Sequence, residues 1–343
     1  MLSANTGRYP LKSVVLVSLF LLAASGLILF LGISINMNNN NKAQAQEQQQ
    51  QQQEVGQTKI NELWETPADL KNPESVVYAP KQDVLFVSNI EGKPDQKDQN
   101  GFISKVSPLN GSIVELNWIT GLNAPKGMAV YDNGSSSKLY VSDITDLVEI
   151  DIESGKIINR FNAPGSAFLN DVVSDDQGNI YVSDTITNTI YKQDVNAKDS
   201  NNTSLQVWLQ SPQLEGPNGL HVDNTKNRLI VASLGDMSKP GAGIEVVDLG
   251  NKKISSLGEE NTTSPFGGLD GIESDAKEIR YYVTDNPAGK IFIVNANGTG
   301  YTNLVDLHTS GTADLGFIPN QNVIVIPLMQ DNKVVAYKLE NYE

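Results

Sequence analysis

The chain has 343 residues, 39% of them hydrophobic, and its 25 basic against 40 acidic side chains leave a formal net charge of -15. That balance suits a soluble acidic globule and argues against a phosphate-binding surface, so nucleic acid is not an expected partner. Cysteine is absent, which excludes disulfides, thiolate metal sites and cysteine nucleophiles and leaves packing and bound metal to stabilise the fold.

At the N-terminus, Arg8 and Lys12 precede an uncharged run from Ser13 to Ile35 of about 23 residues, enough to cross a bilayer at about 1.5 Å of rise per residue. The length favours a membrane anchor over a cleaved signal peptide, whose apolar region is usually shorter, although Ala43-Gln44-Ala45 has the form of a cleavage site. Residues 1–35 are therefore expected to be a membrane anchor or signal segment, with everything beyond on the extracytoplasmic side. The Asn run at 38–41 and the Gln run at 48–53 cannot bury apolar surface, so 36–57 is expected to be a disordered tether. Asn-x-Ser/Thr triplets begin at Asn110, Asn133, Asn202, Asn261 and Asn297; they would be glycan acceptors in that location, but such triplets are common by chance.

From about residue 58 onward the sequence repeats. The segments at 72–78, 124–130 and 168–173 each lead through a polar turn into a β-rich run, at Val84 to Ser88, Leu139 to Ser142 and Ile180 to Ser183. The same grammar returns at 216–220, 268–272 and 312–316, followed by Leu229 to Ser233, Arg280 to Thr284 and Val323 to Pro327. Glu74, Lys126, Asn170, Asn218, Asp270 and Asp314 then hold equivalent positions, 44 to 52 residues apart. A period of about 40–50 residues built from short alternating strands is the signature of a propeller blade. Helical repeats of that length would need 3.6-residue apolar periodicity, which is missing. Turn signals at Asn110-Gly111, Asn133-Gly134, Gln177-Gly178-Asn179 and Asn297-Gly298 fall where adjacent strands must reverse. The fold predicted for 58–343 is an all-β, six-bladed β-propeller. Its last unit lacks a fourth strand, and Thr58 to Thr66 is expected to supply it, closing the ring and removing an exposed edge.

The innermost strands of a propeller line its central channel, so the six equivalent residues should form a ring at one mouth. Oxygen donors without sulfur or imidazole suit a hard cation, and calcium accepts 6–8 of them at flexible geometry, where magnesium demands a tight octahedron. Asn and Asp before Gly are also ordinary turn residues. Gathering Glu74, Asp270 and Asp314 in a confined site is costly without a cation, however, because like charges repel there. Lys126 offers a competing neutralisation by pairing with Asp314; alternatively it binds an anionic substrate.

Pro73-Glu74, Asn170-Asp171, Pro217-Asn218-Gly219-Leu220 and Leu269-Asp270-Gly271-Ile272 resemble the motifs of the senescence marker protein and gluconolactonase superfamily, which includes calcium-dependent paraoxonases and diisopropylfluorophosphatase. The resemblance covers about residues 67 to 340 and implies that Glu74, Asn170, Asn218 and Asp270 hold a catalytic divalent ion. It also implies an Arg two residues before Asn170, where this chain has Phe168, which puts a sugar-acid lactone in doubt. Paraoxonase-like members use channel histidines. The histidines here are His221 and His308; strand alternation puts His221 opposite the anchor Asn218, as a packing residue between blades.

The function expected is hydrolysis of a lactone, ester or phosphoester on a small-molecule substrate. Asp314 is the candidate base and Asp270 a ligand or nucleophile. Asp171 is the third candidate carboxylate, acting by orienting Asn170, and Asn170 and Lys126 are candidates for substrate contact. Loops at Asn89 to Gly101 and Leu234 to Gly243 should cover the mouth. The alternative is a non-catalytic tethered propeller that binds a protein or glycan, with a structural metal, since fold alone does not separate the two. The oligomeric state is not legible in the sequence.

Overall fold

A computed structural model describes residues 58–196, 203–235, 241–258, 264–308 and 311–341. The expected membrane segment and tether lie outside the described residues, as do Asn202, Asn261 and positions 236–240 of the second mouth loop. Among the described residues no helix is long and apolar enough to cross a membrane.

The described strands make six four-stranded antiparallel sheets. Blade 1 comprises Pro73–Ala79, Val84–Asn89, Gly101–Val106 and Ile113–Leu122, and blade 2 Pro125–Asp132, Ser137–Asp143, Asp146–Asp151 and Lys156–Asn162. Blade 3 is Leu169–Ser174, Asn179–Asp184, Thr189–Asp194 and Gln206–Gln210, and blade 4 is Pro217–Asp223, Arg228–Ser233, Ile244–Asp248 and Ile254–Ser256. Blade 5 runs through Leu269–Ser274, Arg280–Asp285, Lys290–Asn295 and Tyr301–Asp306. Blade 6 takes Gly316–Ile318, Val323–Leu328 and Lys333–Asn341 from the C-terminal end and Thr58–Glu65 from the start of the described chain. The six β-rich runs read from the sequence are the second strands of the six blades.

The core is divided among the interfaces between neighbouring blades. Phe86 and Ile103 of blade 1 pack with Met128 and Val141 of blade 2, for example, and Ile230 and Ile244 of blade 4 with Ile272 and Val283 of blade 5. A blade is thus covered on both faces, which is why its middle strands are apolar almost throughout instead of alternating. Val84–Asn89 is buried at every position, whereas the outer strand Lys156–Asn162 is largely exposed.

Closure follows the expected pairing. Thr58–Glu65 runs antiparallel to Lys333–Asn341, from Thr58 opposite Asn341 to Glu65 opposite Val335. The Thr66 N–H donates to the Val334 carbonyl at 2.9 Å, and the Val334 N–H donates to Thr66 Oγ1 at 3.0 Å. Trp64 is buried, and its indole N–H donates to the Pro108 carbonyl of blade 1 at 3.2 Å. One tryptophan thereby joins the first described strand to both sides of the seam. A chain beginning at Pro67 is expected to lose at least about 3 kcal/mol, the usual effect of deleting a buried tryptophan alone. Chemical denaturation checks this, and an unchanged midpoint would show that the strand does not close the ring.

Candidate active site

The anchors owe their position to a backbone irregularity repeated around the ring. In blade 1, Pro73 pairs with Asn89 but Val76 pairs with Val87, so the inner strand carries one extra residue. Blades 2 to 5 do the same, between Pro125 and Met128, Leu169 and Val172, Pro217 and Leu220, and Leu269 and Ile272. Blade 6 matches the count, with the Ala313 N–H on the Pro327 carbonyl and Gly316 opposite Val325. Such a bulge bends the strand and re-aims the side chain at its first residue. Here that residue is Glu74, Lys126, Asn170, Asn218, Asp270 or Asp314.

A hydroxyl from the second strand serves the bulge. Ser88 accepts from the Ser75 N–H at 2.9 Å, Ser183 from the Asp171 N–H at 2.9 Å, and Thr284 from the Gly271 N–H at 2.8 Å. These hydroxyls also reach the next blade: Ser142 donates to the Asn170 carbonyl, Ser183 to that of Asn218 at 2.7 Å, and Thr284 to that of Ala313 at 3.0 Å. The following carboxylate caps the loop entering the blade, as where Asp143 accepts from the backbone of Asn123 and Ala124 and Asp184 from Ala167 and Phe168. The recurrent Ser-Asp or Thr-Asp pair is therefore a joint holding the anchor ring. Close approach explains the glycines after two anchors. A Cβ on Gly127 would lie 2.3 Å from Asp171 Oδ1, and one on Gly271 would lie 2.5 Å from Asp314 Oδ1.

All six anchors and Asp171 are buried, and their electrostatics bind the acids into one cluster. Burial raises the Glu74 pKa well above the carboxylate range; Asp270 and Asp171 add to the rise and Lys126 opposes it. Asp314 is likewise raised well above that range, by burial first and then by Asp171, with Glu74 and Asp270 contributing and the Ser75 hydrogen bond opposing. Burial lifts Asp171 to about 8 against the N–H groups of Leu220 and Val172, and Asp270 to about 6 against hydrogen bonds from Asn286 and Asn218. Lys126 is lowered by burial, with Glu74 the leading charge resisting it.

The hydrogen bonds refine the expected roles. Asn170 Nδ2 donates to Thr185 Oγ1 at 3.2 Å and Asn218 Nδ2 to the Leu269 carbonyl at 3.2 Å. Asn286 Nδ2 donates to Asp270 Oδ2 at 2.7 Å. With the amide nitrogens occupied, the asparagine oxygens are the groups left to face a ligand. Asp171 does not orient Asn170; its oxygens take the N–H groups of Leu220 and Val172, each at 2.6 Å, and brace blade 3 against blade 4. Thr185 has the orienting part, and Asn286 has it for Asp270. Both follow the Ser-Asp or Thr-Asp pair, a place taken by Ile90, Ile144, Leu234 and Leu328 in the other blades, so a polar residue there was the available signal. Lys126 does not pair with Asp314: its ammonium donates to the carbonyls of Pro94 and Ala124 at 3.0 and 3.1 Å and lies 4.3 Å from the Phe168 ring centroid. Asp314 Oδ2 instead accepts from Ser75 Oγ at 2.6 Å.

Whether the ring suits a cation can be tested on two observations. Among the described residues no three carboxylate or imidazole groups form a metal cage by themselves, so an ion would need the amide oxygens. Glu74 Oε2 is buried without a hydrogen-bond partner, as expected of an oxygen reserved for a ligand. A mixed set of two carboxylates and two amide oxygens fits both. His221 contacts blade 5, with Nδ1 3.6 Å from Glu273 Oε2, and its ring also reaches the channel cavity. His308 is exposed beside Asp306 and takes no part.

The architecture is that of a six-bladed propeller, and comparison with solved structures bears this out. A gluconolactonase from Xanthomonas campestris superposes with a TM-score of 0.57 at 14% identity, covering 79% of this chain and 87% of that one. A protein of unknown function from Bacteroides thetaiotaomicron superposes with a TM-score of 0.61 at 10% identity, covering 83% and 76%. No protein-family model and no curated protein matches the sequence. The likeness is one of fold.

Two predictions follow from the packing and charge of the ring. Gly271→Ala should destabilise by about 1–3 kcal/mol, the usual effect of overpacking, read from a denaturation midpoint; a neutral result would contradict the close approach. The second concerns pH. Asp171 and Asp270 hold protons more tightly in the folded chain than in the unfolded one, where Asp titrates near about 3.9, so deprotonation weakens the fold. In chelator-treated protein the melting temperature should rise as pH is lowered from about 8.5 to about 6, the range governed by Asp171, with Asp270 adding to the rise below about 6. A steady fall across that window would show that the acids are not confined together.

Proposed function

We propose that this chain is an extracytoplasmic, divalent-cation-dependent hydrolase of a lactone, ester or phosphoester, with calcium the ion that suits an all-oxygen donor set. The observation that carries the reading is Glu74 Oε2, buried and unpartnered beside a second acid, Asp270. Leaving such charge uncompensated is strongly destabilising, so it calls for a proton or a cation. Glu74, Asn170, Asn218 and Asp270 would hold the ion, which when bound supplies Lewis-acid polarisation of the substrate oxygen.

The remaining chemistry belongs to the side chains. Asp314 is held at Oδ2 by Ser75, which leaves Oδ1 to take a proton from the attacking water, and its raised pKa makes it a stronger base than an ordinary carboxylate. Asp270 is fixed at Oδ2 by Asn286, in keeping with a ligand more than a mobile nucleophile. Asp171 keeps the inner strands of blades 3 and 4 in register, and Lys126 secures the mouth loop at Pro94 over the Phe168 ring, next to where substrate enters. The fold shared with a gluconolactonase makes lactones a natural first class to screen. Phe168 in place of the Arg implied by the family resemblance favours an apolar over a sugar-acid ring.

One observation favours the other reading, a non-catalytic propeller braced by metal: Asp171 and Asp314 both spend oxygens on bonds between blades. The discriminating measurement is turnover of lactones, aryl esters and phosphotriesters with calcium and with chelator. Hydrolysis should fall about 100-fold or more on chelation and in Asp270→Ala. Asp314→Asn should lower kcat by about 100-fold while calcium affinity, measured by calorimetry, is retained. Activity that survives both chelation and Asp270→Ala would refute the mechanism; calcium binding without turnover of any class would leave the brace.

A further inference from the structure

We propose that the channel mouth opposite the anchors is a second binding site, built for a small organic cation with an apolar body. The inner strand of blade 6, Gly316–Ile318, runs on into Pro319 and Asn320, and that of blade 1, Pro73–Ala79, into Pro80. Beside these strand ends lies a cavity of about 360 Å³. Val77, Tyr78, Pro80, Phe317 and Pro319 form its apolar walls, with Glu273 and Asn320 the polar groups among them. These residues lie at the far ends of their inner strands from Glu74 and Asp314, so the site is separate from the anchor ring. Its volume falls at the lower end of the usual range for small-molecule sites, about 300–1,000 Å³.

Charge decides which ligand suits it. Val77 and Glu273 also line a channel cavity of about 140 Å³ whose walls include Asp171, Asp314 and His221. Glu273 is the charged group of the larger cavity's lining, Asp83 accepts from the Tyr78 hydroxyl at 2.8 Å, and the neighbouring Lys81 is engaged by Asp132 of blade 2 at 2.7 Å. On the side of the channel Glu273 faces His221 Nδ1 at 3.6 Å. On the side of the apolar walls its carboxylate asks for a donor bearing positive charge, which an ammonium supplies.

Aromatic groups back the same carboxylate. Glu273 stands opposite Tyr282 in the sheet, and Tyr282 stacks on Phe317 with centroids 6.1 Å apart. Phe317 and Tyr78 offer ring faces to a cation or to an apolar ring. An anion would meet only acids here, and a bare metal ion would find one carboxylate and an apolar wall. A primary amine on an aryl or short alkyl body matches both the walls and the carboxylate.

The test uses phenethylamine, 2-phenylethanol and phenylacetate, three probes of similar shape and different charge, titrated into the full chain by saturation-transfer NMR. Phenethylamine should bind about 10-fold or more tightly than either of the others, as a charge-assisted hydrogen bond would give. Glu273→Gln, which keeps the shape of the side chain, should erase that preference while leaving the melting temperature unchanged. Phe317→Ala should weaken all three probes, and saturating calcium should leave the amine's affinity as it was. Equal binding of the three probes, no amine binding at about 10 mM, or displacement of the amine by calcium would each overturn the proposal. Displacement would place the amine in the anchor ring instead. Loss of the hydrolase reading would leave these results untouched, because none of them depends on turnover.

Discussion

One extra residue at the start of each inner strand is the constraint on which the rest depends. The bulge turns the anchor side chain out of the ordinary alternation and brings an N–H to a second-strand hydroxyl. That hydroxyl also reaches the carbonyl of the following blade, so local irregularity and ring assembly share one group. Where the hydroxyl is missing, at Ala232 and Ile326, neighbours substitute. Asp171 reaches across to the Leu220 N–H, and the Asp314 N–H takes the Glu74 carbonyl across the seam between blades 6 and 1. Polar bonds of this kind tie blades 2 to 3, 3 to 4, 4 to 5, 5 to 6 and 6 to 1, and between blades 2 and 1 Lys126 reaches the Pro94 carbonyl of the mouth loop.

Those bonds between blades explain how so many acids can be buried together. Burial raises Glu74, Asp171, Asp270 and Asp314, neighbouring acids add to the rise in all but Asp270, and Lys126 is the cation that opposes Glu74. Acids raised in this way favour their protonated forms, and a cation entering the ring would compete with protons for them. The six inter-blade cores provide the compensating stability, since each buries apolar side chains from two blades at once. An unfavourable polar hub is tolerated because the hydrophobic packing lies elsewhere.

The repeat made the blade count, the six anchors and the closing strand legible, because each recurs or is conspicuously missing at a fixed interval. What was hidden lies in contacts that one-dimensional spacing does not encode. Thr185 and Asn286 gain their roles only when the second strand is laid beside the first. Asp171 was expected beside Asn170 because it follows it, yet the bulge sends its carboxylate to the next blade. Charge offers Lys126 either Asp314 or an anionic substrate, while the fold gives it the carbonyls of Pro94 in the mouth loop and of Ala124. His221 shows a limit of alternation. Side chains alternate between the two faces of a blade, but the inner strand is an edge, and consecutive residues such as Leu220 and His221 both border the channel.

The same geometry accounts for how a fold persists at 10–14% identity. The backbone bulge and its hydroxyl set where an anchor sits, and neither depends on whether that anchor is Glu, Lys, Asn or Asp. Packing between blades asks only for β-branched and aromatic side chains on covered faces, which many sequences satisfy. Chemistry is therefore confined to a few side chains whose identity the scaffold leaves open. Superposition of blades then says little about reaction. The informative comparison is of the six anchors, the residue after each Ser-Asp or Thr-Asp pair, and the loop over Lys126.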